Sequence, residues 1–375
     1  MQTFWIGLDD TDSPEGMCTT WLGARLIRDL RNFGFRIDEA RLIRLNPTIP
    51  YRTRGNAAIA IRVTGDPSIA FDHACNLVTT YADLTCEKTH PGVVVADHQF
   101  PSEFYTKAVT AVCTIAEAEE LLKEHAIAWK GFKLGRGLIG ATAAIASDLS
   151  DHTWELLAYR DETRWTTPRE VDAVSLFTAE EATTPHTWDT VDPDRGSVVC
   201  VPHTPDPVLY GIRGDSPFAI AHAVSCIRSE PYPWGQIWLT NQGTDAHILC
   251  GKIGSLTEGS SYRVRGTVLK PPATGIGGHV SFCIGDNGRE LPCMAFEPTK
   301  CFRDHVRSLI PGDQIIAVGS FLNSTLNLEK ICLSIRKTDE HKNAPYCKIC
   351  QKQMTSAGAG KGYKCRKCGE RTQTP

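Results

Sequence analysis

The chain has 375 residues, 41% hydrophobic and 22% charged, with a net charge of only -3. That length divides into about two to four domains, because a single core stops growing well before it is reached. No stretch approaches ~18 uncharged apolar residues and Asp9 interrupts the start, which argues against membrane spans and a secretory leader and leads us to expect a cytoplasmic protein.

The first domain is expected over residues 1–150. Its opening stretch, "WIGLDDTDSPEGMCTTW" at residues 5–21, reads as an apolar strand that ends in Asp9, Asp10, Asp12 and Glu15. Carboxylates this close raise one another's pKa unless a cation or a proton is shared among them. Hard oxygen ligands on a turn suit Mg2+, which keeps few protein ligands when it also carries nucleotide phosphates. Leu22, Leu26 and Leu30 then mark a helix that starts at Thr19 or Thr20 and stops at Gly34, so its N-terminus would add a partial positive charge to the same place. The plainer alternative is that Asp12 and Ser13 shape a turn and Thr19 caps the helix. "ARLIRLNP" and "NAAIAIRVTG" read as strands, followed by helices around residues 68–82 and 101–125. Between the two strands, "NPTIPYRTRGN" carries Arg52, Arg54 and Asn56 on a loop.

The domain ends in "GRGLIGATAAIASDL", residues 135–149, where Gly135, Gly137 and Gly140 satisfy G-x-G-x-x-G. The preceding "WKGFKLG" makes a poor strand and no ribose-binding acid follows, so dinucleotide binding is not expected. Either Arg136 or Lys133 meets a phosphate there, or the glycines make a tight turn.

Residues 151–250 read as an α+β unit with strands at "TWELLAYR" and "SVVCVPH", a helix at "SPFAIAHAVSCIRS" and a strand at "GQIWLTNQGTDAH". Thr183 to Asp194 reads as an irregular loop. The order fits a ferredoxin-like sandwich, with Asn241, Gln242, Asp245 and His247 at a strand end. Residues 251–338 alternate strand and turn, with Asp286-Asn287-Gly288 as a hairpin and one short helix after the third strand. Five strands in that order suit an OB barrel, which binds single-stranded nucleic acid or, in many cases, protein.

Residues 339–375 hold "CKIC" (Cys347, Cys350) and "CRKC" (Cys365, Cys368), fourteen residues apart. Four thiolates at this spacing suit a closed, structural Zn2+ site. The other eleven cysteines are scattered through apolar stretches, as reduced thiols in a reducing compartment would be. Residues 336–375 carry +7 and the remainder -10. That asymmetry points to a polyanionic partner at the C-terminal end or to a solvated basic tail.

The run Trp5, Gly7, Asp9 to Ser13 and Gly16 to Thr20 stands with "RTRGNAA", "GRGLIGA", "YGIRG" and "TNQGTDAH" ahead of the barrel pattern and the two knuckles. Together these motifs resemble the archaeal tRNA-isoleucine 2-agmatinylcytidine synthetases over essentially the whole chain. The resemblance implies an α+β multidomain fold: a kinase-like α/β N-terminal domain, a ferredoxin-like domain, an OB barrel and a zinc ribbon. It implies that ATP and agmatine modify the wobble cytidine of the minor, AUA-decoding isoleucine tRNA, by phosphorylating its C2 oxygen and displacing phosphate with the agmatine amine.

On that reading Asp9, Asp10 and Asp12 hold Mg2+ and are catalytic, and Thr19 is autophosphorylated. Arg52, Arg54, Asn56, Arg136 and Gly137 are placed near ATP or tRNA phosphates. Asn241 and Gln242 are placed at the substrate, and Asp215 and Asp245 are candidates for the agmatine guanidinium that the resemblance itself does not assign. Two other classes fit part of the chain: a non-catalytic RNA-binding factor, which leaves the acidic turn without a purpose, and a small-molecule kinase fused to a nucleic-acid module.

Overall fold

The computed structural model describes residues 2–53, 55–337, 344–358 and 360–373, so Arg54 lies outside the described residues. The chain begins with β1 (Gln2–Asp9), α1 (Thr19–Asn32), β2 (Arg36–Arg44), β3 (Ala57–Gly65), α2 (Pro67–Tyr81), β4 (Gly92–Ala96), α3 (Ser102–Thr110), α4 (Ile115–His125), β5 (Ala128–Gly131) and α5 (Gly137–Ala146). It continues through β6 (Thr153–Tyr159), α6 (Ala173–Thr183), β7 (Thr187–Trp188), β8 (Val191–Asp192), β9 (Ser197–Val198), β10 (Val208–Gly214), α7 (Pro217–Cys226) and β11 (Trp234–Thr240).

Side chains on a strand alternate between faces, and β1 and β3 use both. Phe4, Ile6 and Leu8 with Ile59, Ile61 and Val63 pack under α1 and α2, while Trp5, Ala58 and Ala60 join the core of α3, α4 and α5. Three layers result. The residues expected to form one long helix at 101–125 form α3 and α4, because Thr114 and Glu117 make a reciprocal capping box that starts a new helix. "WKGFKLG", a poor strand by pattern, still supplies β5 as a short edge on β4. The expected strand "SVVCVPH" contributes only the two-residue β9, and α6 occupies residues where no helix was expected, started by the Asp172 side chain.

One nine-stranded sheet, ordered β5-β4-β1-β3-β2-β11-β6-β10-β7, runs through the first 240 residues. Its seam is a short parallel pairing of β2 with β11, Leu239 opposite Arg41 and Thr240 opposite Leu42. The core of the second half includes an ion pair sealed from water. Arg160, 1% exposed, donates to Glu230 at 2.8 and 3.1 Å and also to the carbonyls of Thr167 and Pro168. Removing one member of a buried pair strands the other charge. Arg160→Met is therefore expected to cost about 3 kcal/mol, read as a lower urea midpoint for this part of the chain; an unchanged midpoint would mean that Arg164, 3.2 Å from Glu230, takes over the charge.

The third part is a closed five-stranded barrel. After β12 (Ile248–Cys250) come β13 (Ser260–Val268), β14 (Ala273–Thr274), β15 (Val280–Asp286), β16 (Arg289–Ala295), α8 (Cys301–Arg307), β17 (Gln314–Leu322) and β18 (Thr325–Ile335). The order β13-β17-β18-β16-β15 closes where β15 returns to β13. The expected hairpin is present, with Asn287 and Gly288 both at positive φ. Asn46 Nδ2 and Thr48 Oγ1 both donate to the Gly259 carbonyl and tie the barrel to the first layer. Last comes a small three-stranded sheet of β19 (Thr355–Ser356), β20 (Tyr363–Lys364) and β21 (Arg371–Thr372). No helix among the described residues is long and apolar enough to cross a membrane.

Candidate active site and zinc ribbon

β1 delivers Asp9 at its last residue, and the chain then turns through Asp10 at φ 58°. α5 lies directly against this strand end. A Cβ on Gly137 would stand 2.5 Å from the Asp9 carbonyl oxygen, and one on Gly140 would stand 1.9 Å from Asp9 Oδ2. The glycine pattern thus serves close helix-to-strand packing. It does not offer free backbone donors, since Gly137 N–H donates to His90 O and Leu138 N–H to Gly135 O. α1 differs: Cys18 is its N-cap, without a side-chain cap bond, and its first turn has no acid. Thr19 is the first helical residue and not the cap.

A cleft of about 400 Å³ opens over this turn and brings together Asp9, Asp10, Asp12, Arg52, Asn56 and Arg136. Leu45, Ile49, Val112, Ile115 and Ile139 supply apolar lining to the same cleft. Burial pushes the Asp9 carboxyl well above its usual range, and Asp10 and Asp12 push it further. For Asp10, burial and Asp12 outweigh the neighbouring Arg136, and its pKa rises to about 7. Arg136 Nε donates to Asp10 Oδ2 at 3.3 Å, its Nη2 donates to Lys88 O at 2.7 Å, and its guanidinium stacks over Tyr51 at 5.4 Å. Lys133 is turned away and donates to Cys86 O.

The sign of the Asp10 shift gives a measurable consequence. Its folded pKa lies above the unfolded value near 3.8, so between about pH 4 and pH 7 the folded chain holds a proton that the unfolded chain has lost, and stability falls as pH rises through that window. The melting temperature of magnesium-free protein relative to that of Asp10→Asn is expected to drop across this range; a flat difference would place the Asp10 pKa near its ordinary value.

A second cleft of about 300 Å³ shares Gly55 with the first and is lined by Cys18, Thr20, Arg44, Glu155, Asp189, Asp206 and Arg213. Burial would raise Glu155, but Arg44 at 2.8 Å and Arg213 at 3.3 Å hold it below its usual value. Arg213 also reaches Asp189 at 3.1 Å.

Several expected residues stand elsewhere. Thr19 is buried and lines neither cleft; its hydroxyl accepts from Thr11 N–H at 3.3 Å and Thr11 Oγ1 at 3.0 Å. Asn241 is occupied structurally, accepting from Arg44 N–H at 2.7 Å and donating to Arg44 O and Tyr105 Oη. Gln242 shapes its own turn, its carbonyl accepting from Thr153. Asp215 pairs with His186 at 2.7 Å and Asp245 with Lys330, and neither lines a cleft. Tyr51, Lys88, His90 and the Arg44–Glu155–Arg213 network were missed, since no short motif links residues so far apart in the chain.

At the C-terminus the Sγ atoms of Cys347, Cys350, Cys365 and Cys368 all lie within 4.8 Å of one another. Cys347 and Cys365 are buried, beside Met354. Backbone N–H groups of Cys368 and Lys367 bring Cys365 down to about 6, whereas Cys350, donating to neighbouring sulfurs, is pushed up to about 12. The donor set fits a tetrahedral four-sulfur shell with Zn–S bonds of about 2.3 Å.

Known proteins match this chain over nearly its whole length. Family models described as the TiaS TCKD domain match residues 5–70 and 64–135, the TiaS FLD domain residues 135–247, and the TiaS C-terminal zinc ribbon domain residues 344–375. TiaS of Methanocorpusculum labreanum, the 2-agmatinylcytidine synthetase of isoleucine-2 tRNA, is 50% identical over 97% of this chain and 88% of its own length. The chain belongs to the TiaS family. The TiaS of Archaeoglobus fulgidus is 42% identical over 97% of this chain and 88% of its own length. A crystal structure of apo TiaS superposes with a TM-score of 0.90 at 38% identity, covering 100% of this chain and 90% of that one. A complex of TiaS with isoleucine-2 tRNA, AMPCPP and agmatine superposes with 0.86 at 37% identity, covering 100% and 93%.

Proposed function

We infer that this chain is an ATP-dependent 2-agmatinylcytidine synthetase acting on isoleucine-2 tRNA. Its full-length relatives carry that name, and solved TiaS structures hold this tRNA with ATP or with agmatine. The observation that carries the reading to this chain's own chemistry is the cleft where Asp9, Asp10 and Asp12 converge with Arg136, Arg52 and Asn56.

Three carboxylates converging on one turn fit Mg2+, which supplies charge neutralisation at transferring phosphates. Arg136, Arg52 and Asn56 line the same cleft and are placed to meet ATP phosphates, while the apolar lining suits a nucleobase. The C2 oxygen of cytosine is a poor leaving group. Phosphorylating it from ATP makes it a phosphate; the agmatine amine then attacks C2, the C2–O bond breaks, phosphate departs with that oxygen, and the amine loses a proton. In-line positioning is the demand such transfer makes on a protein. The wobble base must leave its stack to reach this cleft.

Agmatine carries positive charge at both ends, and the second cleft presents Glu155, Asp189 and Asp206 beside the first. Each of the three is already paired with an arginine, Glu155 with Arg44 and Arg213, Asp189 with Arg213 and Asp206 with Arg169, so agmatine bound there would have to displace one of them. Thr19 sits one hydrogen bond from Thr11, between Asp10 and Asp12, so its phosphorylation requires the buried hydroxyl to turn outward. On this reading the first layer is a kinase-like domain over residues 1–150, β6 to β11 a ferredoxin-like unit over 151–250, the barrel an OB fold over 251–338 that grips unpaired RNA, and residues 339–375 a ribbon that Zn2+ holds through its four cysteines. The protein works in the cytoplasm.

The test is mass spectrometry of the wobble nucleoside after incubation with isoleucine-2 tRNA transcript, ATP, Mg2+ and agmatine. The expected result is cytidine replaced by its agmatine adduct only when all components are present. Phosphate incorporation with free nucleosides but not with tRNA would favour a small-molecule kinase instead.

A further inference from the structure

On the side of the first layer away from the acidic turn, two histidines face each other. His98 follows β4 by two residues and His125 is the last residue of α4. Their rings meet edge to face with centroids 5.4 Å apart, and His98 Nε2 lies 3.4 Å from His125 Nδ1. Two imidazole nitrogens bound to one tetrahedral ion at about 2.0–2.1 Å stand about 3.4 Å apart.

The far nitrogen of each ring faces a carboxylate. His98 Nδ1 is 2.6 Å from Asp97 Oδ1, and His125 Nε2 is 3.7 Å from Glu124 Oε2. Asp97, at hydrogen-bond distance, takes the far N–H of His98 and leaves its Nε2 as a lone pair, the arrangement that backs metal-bound histidines, while Glu124 lies beyond hydrogen-bond reach of His125. His125 Nδ1–H then donates to His98 Nε2 at 3.4 Å, and an ion that displaces this proton would be held by both nitrogens at the spacing given above. Phe100, 3% exposed, packs against both rings at 6.4 and 6.2 Å and closes one side. The supporting backbone is regular: Ile127 N–H donates to Val95 O at 2.9 Å just where β5 pairs with β4.

We propose that His98 and His125 bind a divalent transition-metal ion of the Zn2+, Ni2+ or Cu2+ type, with water completing its shell and Asp97 acting as a positioning residue. Imidazole suits these ions, whereas the aspartate cleft suits a hard one. The ion clamps the end of α4 to the end of β4. Since Ile115 at the other end of α4 lines the first cleft, the clamp stiffens a wall of the active site without touching substrate.

The full-length chain with its ribbon loaded with zinc would be titrated with Ni2+ by calorimetry and with Cu2+ by electron paramagnetic resonance. The expected result is one further ion per chain, with copper showing nitrogen couplings from two imidazoles. His98→Asn and His125→Asn should each weaken Ni2+ binding by about tenfold or more, and Asp97→Asn by about tenfold, with tRNA modification at saturating Mg2+ unchanged. No ion beyond the ribbon's, a thiolate signature on copper, or affinity unaltered in both histidine variants would overturn the assignment.

Discussion

Asp10→Asn is expected to lower the rate of tRNA modification by about 10³-fold, the scale on which enzymes lose rate when a group stabilising transition-state charge is removed, while leaving tRNA binding as it is. Asparagine has nearly the shape of aspartate and its carbonyl can still accept from Arg136, which now lies 3.3 Å from Asp10 Oδ2, so the turn should keep its form. What disappears is charge. Asp10 is held at a pKa of about 7 by burial and by Asp12, so a divalent ion bound here would compete with a proton for this carboxylate. With Asn at position 10, Asp9 and Asp12 would remain, but Arg136 would no longer be balanced and would repel such an ion. The measurement pairs filter binding of labelled isoleucine-2 tRNA with a time course of wobble-nucleoside formation. Near-normal turnover in this variant would remove the metal role from Asp10, and an equal loss of tRNA binding would show that the turn itself had been disturbed.

Features built from neighbouring residues are legible in the sequence. The aspartates of the first turn, the glycines of α5 and the two knuckles are each local in the chain, so composition and spacing were enough to find them. The glycine motif shows the limit: its spacing suggested phosphate contacts, yet Gly137 and Gly140 are small because Asp9 passes within 2.5 Å of where their side chains would begin. That reason lies in a strand at the opposite end of the domain's sequence. The second cleft was illegible for the same cause, since Arg44, Glu155 and Arg213 meet only when β2, β6 and β10 enter one sheet. Asn241 was read as a ligand donor because it is polar at a strand end. The pairing of β11 with β2 turns it inward, and its amide seals the seam instead.

The continuous sheet was likewise hidden. Periodicity identifies a strand but not its partner, and a parallel pairing as short as that of β2 with β11 leaves no turn signal to announce it. The barrel was easier, because β15 with β16 and β17 with β18 are hairpins whose short turns show in the sequence. Asn46 and Thr48, which reach Gly259, carry the site's position into the barrel, so the region that would grip RNA is registered against the cleft that would receive the base.

The ribbon offers the other large effect. It has hardly any apolar core, only Cys347, Met354 and Cys365 being well buried among its described hydrophobic residues, and its three strands are two residues each. Such a unit cannot offset its own conformational entropy without a staple, and structural zinc contributes on the order of 10 kcal/mol to small four-ligand domains. Cys365→Ser, which removes one of the buried sulfurs, is therefore expected to unfold the ribbon alone and to release zinc to a colorimetric chelator. Residues 336–375 carry the +7 charge, and loss of an ordered cationic surface weakens RNA binding most at low salt, because fewer phosphate contacts leave a shallower salt dependence. The variant should bind isoleucine-2 tRNA at least tenfold more weakly at physiological salt, with a reduced slope of log affinity against log salt, while ATP binding in the first cleft and the melting of the nine-stranded sheet stay unchanged. Equal loss of ATP and tRNA binding would mean that the ribbon supports the cleft directly; unchanged tRNA affinity would make its charge a solvated tail.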